Sequence, residues 1–411
     1  MIRLSLAELH ALELGQLEGE GEVSGLTIDS RTASPGDLFV AVQRGRAFVA
    51  DARERGAATL IPHDEHAALA AIGGVLRSRS RARVVGITGS TGKTSTKDIL
   101  AALCAPVART VATRASENAE LGVPLTLGRL EPNTELCLVE LGMRGFGQIA
   151  ELCAIARPDV AVITAIGPVH LELVGSIDGV ARSKAELVAA LPADGIAVVP
   201  QSAELEPYLR ADVEVRRVEK VDVELRQDGA HVAFHGGRIR FPLRSRHQAQ
   251  NALTALIAYE ALGLPLERLQ EGADGVELSR WRGEELPLPG GGIAINDAYN
   301  ANPTSLRAAL EHLAGLDAPR KLAVLGGMAE LGEHAPRYHR ELGELAGELG
   351  VEVVAVGELA RGYGAATWVA DAPAAVAVVR ECLRPGDAVL VKASRALALE
   401  GVAPALANGP S

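Results

Sequence analysis

Short, wholly apolar runs recur along this chain, and most are followed by a stretch whose apolar positions return every three or four residues. Leu136 to Leu141 (LCLVEL), Val160 to Ile166 (VAVITAI) and Ile196 to Pro200 are runs of the first kind. Lys97 to Leu103, Ile149 to Ala156 and Ile177 to Leu191 are of the second. Continuous apolar strands between amphipathic helices predict a parallel sheet covered on both faces. Ahead of this region, Leu4 to Leu14 predicts a short helix. Ser24 to Ser30 and Asp37 to Val42 predict strands around a Pro35-Gly36 turn, Val49 to Gly56 a helix and Ala57 to Ile61 a strand. From Val221 to Leu243 the pattern alternates about Asp228-Gly229 and Gly236-Gly237, which predicts antiparallel strands added at a sheet edge. Helices follow at Asn251 to Leu262 and Leu266 to Gly272. After the glycine-proline cluster Pro287 to Gly292 the strand-helix alternation restarts and runs to Leu406.

The pattern therefore predicts an α/β protein of three domains. These are a small mixed α/β N-terminal domain (residues 1–82), a central parallel-sheet domain (83–283) and a C-terminal Rossmann-like domain (284–411). The last lacks GxGxxG, so it is not read as a dinucleotide site. A length of 411 residues suits two or three domains. Aromatic residues make up 3%, so the cores are aliphatic and surfaces for stacking bases are scarce; with a net charge of -11 this argues against a nucleic-acid partner. Cys104, Cys137, Cys153 and Cys382 form no CxxC pair and read as reduced core thiols. No leader and no apolar run of about 18 residues is seen, so the expectation is a soluble cytoplasmic protein without a membrane partner, with a monomer as the default.

Chemistry concentrates at Gly86 to Ser95, GITGSTGKTS, between an apolar strand and a helix. Backbone N–H groups of such a turn, the helix N-terminus and Lys93 together suit a phosphate chain, and Thr94 offers a hydroxyl to a Mg2+ ion. The match is a variant: the strict pattern wants glycine at position 87, which is Ile87. Glu140 ends the strand LCLVEL, and His170 follows VAVITAI through Gly167-Pro168. Lys184 lies in the next helical stretch. Carboxyl ends of parallel strands are where ligands gather, so Glu140 is a candidate Mg2+ ligand; His170 suits a second cation or a phosphate. Taken singly, His170 and Lys184 also suit a helix surface. Asn251 suits a cap or a hydrogen-bonding role. Arg282 suits a phosphate across a cleft or an interface ion pair. Asp297 in DAYNANP suits ribose hydroxyls, while Asn300, Asn302 and Pro303 also fit a turn and a cap. The arginines of LRSRSRARV (Leu76 to Val84) suit phosphate or a solvated linker.

Taken together, TIDSR, TGSTGKTS, ENAELGVPLTL, VELGMRGFGQIAEL, RSKAEL, HQAQNALTA, DAYNANPTSL, LGGMAELGE and VKASR resemble the Mur ligase family of ATP-dependent peptide-bond formers, over nearly the whole chain. DAYNANP and GGMAELG resemble the members that use D-alanyl-D-alanine. The resemblance implies a ligase joining D-alanyl-D-alanine to UDP-N-acetylmuramoyl-tripeptide through an acyl phosphate, with ADP and phosphate released, in peptidoglycan synthesis. It implies that Gly89, Ser90, Thr91, Gly92, Lys93 and Thr94 hold ATP phosphates, and that Thr94 and Glu140 bind one Mg2+. His170 and a carbamylated Lys184 would bind another. Asn251 would contact adenine, Arg282 a phosphate, and Asp297 with Asn300 the ribose-phosphate side. Ser30, Arg31 and Asn118 would hold the UDP-sugar peptide; Lys392, Ser394 and Arg395 would lie near the dipeptide or the closed cleft.

Four departures stand out. Gln248, Ala119 and Ala393 replace an asparagine, an asparagine and a glycine of the family pattern, and GRAFVADA replaces an aspartate-glycine-histidine stretch after Gly45. The third residue of the tripeptide is not legible. Competing readings are another Mur ligase or a folylpolyglutamate-synthase-like ligase with a different acceptor, and a non-enzymatic ATP-dependent switch.

Overall fold

The structure is a computed structural model, and it describes residues 1–115 and 117–408. Three sheets organise the chain. The first contains β1 (Gly15–Glu18), β2 (Gly25–Thr27), β3 (Asp37–Val40) and β4 (Ala58–Pro62), in the order β1-β4-β3-β2. Only the β1–β4 pair is antiparallel. The predicted first helix is shorter than its pattern: it covers Leu6–His10, closed by a Ser5–Glu8 capping box.

The second sheet has six parallel strands: β5 (Arg83–Thr88), β6 (Thr110–Ala112), β7 (Leu136–Glu140), β8 (Val160–Ile163), β9 (Ile196–Pro200) and β10 (Glu214–Val218). Their order is β10-β9-β8-β5-β7-β6, which puts the phosphate-loop strand in the middle. Every residue of β7 and β8 is buried, as continuous apolar runs require when helices cover both faces. Burying each valine or leucine fully is worth about 1.5–3 kcal/mol. The alternating segment does not extend this sheet. β11 (Val223–Arg226), β12 (Gly229–Phe234) and β13 (Gly237–Phe241) form a separate antiparallel sheet, because β10 already closes that edge. The buried side chains Val223, Ala230, Val232 and Phe241 pack instead with Leu256 and Tyr259 of a long helix that follows.

The third sheet runs β14 (Glu284–Pro287), β15 (Ile293–Asn296), β16 (Lys321–Gly326), β17 (Glu352–Val356), β18 (Thr367–Val369) and β19 (Ala388–Lys392), ordered β14-β15-β19-β16-β17-β18. All pairs are parallel except β14–β15. The α/β class and the parallel sheets are as expected. No helix among the described residues is long and apolar enough to cross a membrane.

The helices that matter for the site are α1 (Glu65–Arg79), α2 (Lys93–Cys104), α3 (Gly122–Leu127), α4 (Gln148–Ala156), α5 (Ile177–Ala189), α6 (Arg246–Ala261) and α7 (Pro303–Ala314). α1 explains the arginine run. Arg77 ends that helix and donates to the carbonyls of Ala156 and Arg157, with Asp159 at 3.3 Å. Arg83 donates to the carbonyl of Leu262. Two of the four arginines thus fasten the chain at Ala156–Arg157 and at Leu262, and Arg79 pairs with Glu8; Arg81 alone is simply exposed.

Candidate active site

β5 ends at Thr88 and α2 begins at Lys93, so the four-residue turn between them opens onto the carboxyl edge of the sheet. Gly92 has φ +82° at the helix N-cap, and a Cβ there would lie 2.3 Å from Asn251 Oδ1. Only glycine suits both that dihedral and that approach. Asn251 of α6 therefore stands directly against the loop. The Lys93 ammonium folds back and donates to the carbonyl of Gly89 at 2.8 Å. Burial lowers the Lys93 pKa; Glu140 opposes the shift and Arg282 adds to it.

Glu140, at the end of the neighbouring strand β7, is 2% exposed. Its Oε2 accepts from Thr94 Oγ1 at 2.7 Å and its Oε1 from Asn118 Nδ2 at 2.8 Å. Thr94 Oγ1 in turn accepts from Arg282 Nη2 at 2.8 Å. The guanidinium lies over the Tyr299 ring at 4.0 Å, and its Nε is buried without a partner. So Lys93, Thr94, Asn118, Glu140, Asn251 and Arg282 meet around one turn. Lys184 of α5 is 1% exposed, and its amine makes no hydrogen bond or ion pair among the described residues. Burial pushes its pKa well below 10.5, and the nearby Lys93 charge pushes the same way.

His170 is paired with a carboxylate from a distant part of the chain. It has φ +53° and its Nδ1 lies 2.6 Å from Glu330 Oε2, on the loop that follows β16. Glu330 also has φ +62° and faces Arg144 at 3.7 Å; the proximity of His170 is the main cause of its lowered pKa, with burial opposing. No group of three or more His, Cys, Asp or Glu side chains gathers around a metal position among the described residues. The donor set still suits Mg2+. The hydroxyl of Thr94 and the carboxylate of Glu140 are hard oxygens side by side, and Arg282 already brings a cation to them.

The remaining candidates mostly bind one another. Lys392 Nζ lies 2.5 Å from Asp297 Oδ2 and donates to the carbonyl of Asn300 at 3.0 Å. Ser394 Oγ accepts from the Ala329 backbone at 2.9 Å. Arg395 lies over Trp281 and pairs with Glu400 at 2.6 Å. Ser30 is buried, and its hydrogen bond to Asp51 lowers that carboxyl's pKa. Arg31 forks onto Asp29. Gln248, the departure from the family asparagine, completes the α6 capping box and donates to the carbonyl of Arg282 at 3.2 Å. His247 beside it is pushed down to about 4 by burial, with Asp297 opposing.

Two residues with long-range contacts here escaped the sequence reading. Glu330 appeared only inside GGMAELG, and Asn302 only as a cap; their partners lie far away in the chain.

Comparison with known proteins places this geometry. The family described as the Mur ligase middle domain matches residues 87–259, and the Mur ligase glutamate ligase domain matches residues 281–395. The UDP-N-acetylmuramoyl-tripeptide--D-alanyl-D-alanine ligase of Synechocystis is 31% identical over 426 residues, covering 95% of this chain and 93% of that one. The crystal structure of MurF from Acinetobacter baumannii superimposes with a TM-score of 0.86 at 28% identity, covering 99% of each chain. MurF ligase from Thermotoga maritima, solved in complex with ADP, gives a TM-score of 0.82 at 26% identity, covering 93% of this chain and 97% of that one.

Proposed function

This chain belongs to the Mur ligase family, and we propose that it joins D-alanyl-D-alanine to UDP-N-acetylmuramoyl-tripeptide with cleavage of ATP to ADP and phosphate, in peptidoglycan synthesis. The observation that carries this reading is the match to ligases of that name along 95% of the chain. The phosphate-loop geometry supports it. In this reading residues 1–82 bind the UDP-sugar peptide, 83–283 bind ATP, and 284–411 deliver the dipeptide; residues 409–411 lie outside the described part.

Lys93 leaves the Gly89 carbonyl to meet the phosphates, and the N-terminus of α2 adds partial positive charge. The tripeptide carboxylate attacks the γ-phosphorus, ADP leaves, and an acyl phosphate forms. The dipeptide amine then attacks the acyl carbon, and phosphate leaves. Arg282, held over Tyr299, is placed to neutralise charge that develops on the transferred phosphoryl group. Asn251 contacts the adenine side, and Asp297 and Asn300 the ribose side. Asn118, Ser30 and Arg31 serve the sugar peptide, while Lys392, Ser394 and Arg395 shape the dipeptide side. Thr94 and Glu140 would hold Mg2+, with His170 and a carbamylated Lys184 at a second ion; such ions supply charge neutralisation. A neutral, buried Lys184 amine is the form that captures CO2. Supplies of ATP and UDP-sugars, together with four free thiols, favour the cytoplasm, and a monomer is the default.

The test is phosphate release from purified protein with ATP, the UDP-sugar tripeptide and D-alanyl-D-alanine. Release and amide product should need all three. Product with another amino acid but not with the dipeptide would refute the assignment.

A further inference from the structure

Among the described residues, one amide side chain of the third unit (from residue 284 on) hydrogen-bonds the phosphate loop. Asn302 is the N-cap of α7 and is 8% exposed. Its two ends do different work. Oδ1 accepts from the Ser305 backbone at 2.9 Å and closes the cap, while Nδ2 donates to the carbonyl of Ser90, on the loop, at 3.2 Å. Beside it, Thr304 of α7 packs so close to Gly167 that a Cβ there would lie 2.5 Å from its Oγ1. Ser90 grips the same glycine: its Oγ donates to the Gly167 carbonyl and accepts from the Gly167 N–H, each at 3.0 Å. Three residues further on is His170. One contact from Asn302 therefore reaches the phosphate loop and the segment that carries His170.

We infer that Asn302 is a positioning residue for amide formation, seating the third unit on the phosphate loop so that the acceptor amine meets the activated carboxyl. The inference rests on the proposed function. Its logic lies in the chemistry of the side chain. An N-cap needs only an acceptor, which serine, threonine, aspartate or asparagine all provide. The bond to Ser90 needs a donor as well, and of these four only asparagine has an amide long enough to offer one while its oxygen caps. The cap and the docking contact can thus be separated by substitution.

Asn302→Asp keeps the acceptor and turns an oxygen toward the Ser90 carbonyl; Asn302→Ser keeps the cap and shortens the reach. Each full-length variant is compared with wild type for thermal midpoint, ATP affinity by calorimetry, kcat and KM for the dipeptide, and radius of gyration by X-ray scattering. The expected result is a midpoint and an ATP affinity close to wild type, a larger radius of gyration, and a kcat lower by roughly tenfold, the worth of about one buried hydrogen bond. Wild-type kcat and radius in either folded variant would overturn the inference. So would a kcat loss matched by an equal loss of ATP affinity, or a midpoint that falls in both variants, since these would make Asn302 a nucleotide contact or a purely structural cap. If wild type forms no amide with these substrates, the proposed function fails, while the scattering comparison still decides the docking role.

Discussion

Replacing Lys184 with methionine tests the most consequential electrostatic feature of the site, that burial holds this amine's pKa well below 10.5 in the folded protein. Methionine keeps the length and apolar volume and removes the amine. Lys184 is buried, with no hydrogen bond or ion pair among the described residues, and desolvation sets its pKa well below 10.5. The linkage has a definite sign. Below the folded value both states hold the proton, and above 10.5 neither does. Between the two, the unfolded chain binds one proton more than the folded one, so this residue makes stability rise with pH by about 1.4 kcal/mol per unit. Lys93 contributes with the same sign, and subtracting the variant's curve isolates Lys184. Urea melts stepped downward from about pH 10, in buffer purged of CO2, should show the wild-type stability climbing more steeply with pH than the variant's. At neutral pH the variant should be more stable than wild type, because the desolvation that lowers the amine's pKa no longer opposes folding, and it should form no amide. With 13C-bicarbonate, wild type should show a carbamate resonance that the variant lacks. Parallel stability curves would refute the reasoning: they would mean that folded Lys184 carries its proton and has no lone pair with which to capture CO2.

Three further outcomes follow from the same geometry. Gly92→Ala should cost about 1–2 kcal/mol for the left-handed backbone alone. Because the new Cβ would displace Asn251, calorimetry should also show a large loss of ATP affinity, and unchanged affinity would place adenine away from Asn251. Asp297→Asn strands the buried Lys392 ammonium with only carbonyl partners, so denaturant melts should show a loss approaching the roughly 3–5 kcal/mol seen when a buried pair is broken. Chelating divalent ions should abolish phosphate release reversibly and leave the thermal midpoint unchanged, since Thr94, Glu140 and Asn118 already satisfy one another; a fall in midpoint would mean that an ion holds the fold together.

What the sequence made legible was local. Gly92, Lys93 and Thr94 declare themselves because a strand, a tight turn and a helix must follow one another within a few residues, and Glu140 because an apolar run has to end somewhere polar. The parallel sheets were legible for the same reason, through runs buried on both faces. Contacts across the seam carry no such period. Asn302 reaches Ser90 across 212 positions and Arg282 reaches Thr94 across 188, and a cap asparagine looks the same whether or not its amide nitrogen is employed. Arg77 was open to a phosphate or a solvent reading because a carbonyl acceptor leaves no mark in sequence. The segment 221–243 kept its predicted strands yet left the predicted edge, since which strand closes an edge depends on β10, not on the segment itself.

The unforeseen contacts also share a physical character. His170 and Glu330 both hold left-handed backbone dihedrals, and Trp281, next to Arg282, does too. Each such residue costs of order 1–3 kcal/mol and persists only where its surroundings over-determine it. Here the surroundings are the opposite unit: Glu330 against His170, Arg395 and the Tyr299 backbone against Trp281. Separation of the units would remove those partners and leave the strain unopposed, so the strained residues favour the seated arrangement only while both halves of the seam are present. A reaction that must admit three substrates and then exclude water needs a seam of that kind, held by many modest contacts that can be released together. The residues that answer this need are the ones with no sequence signature, because their purpose is set by the far side of the cleft.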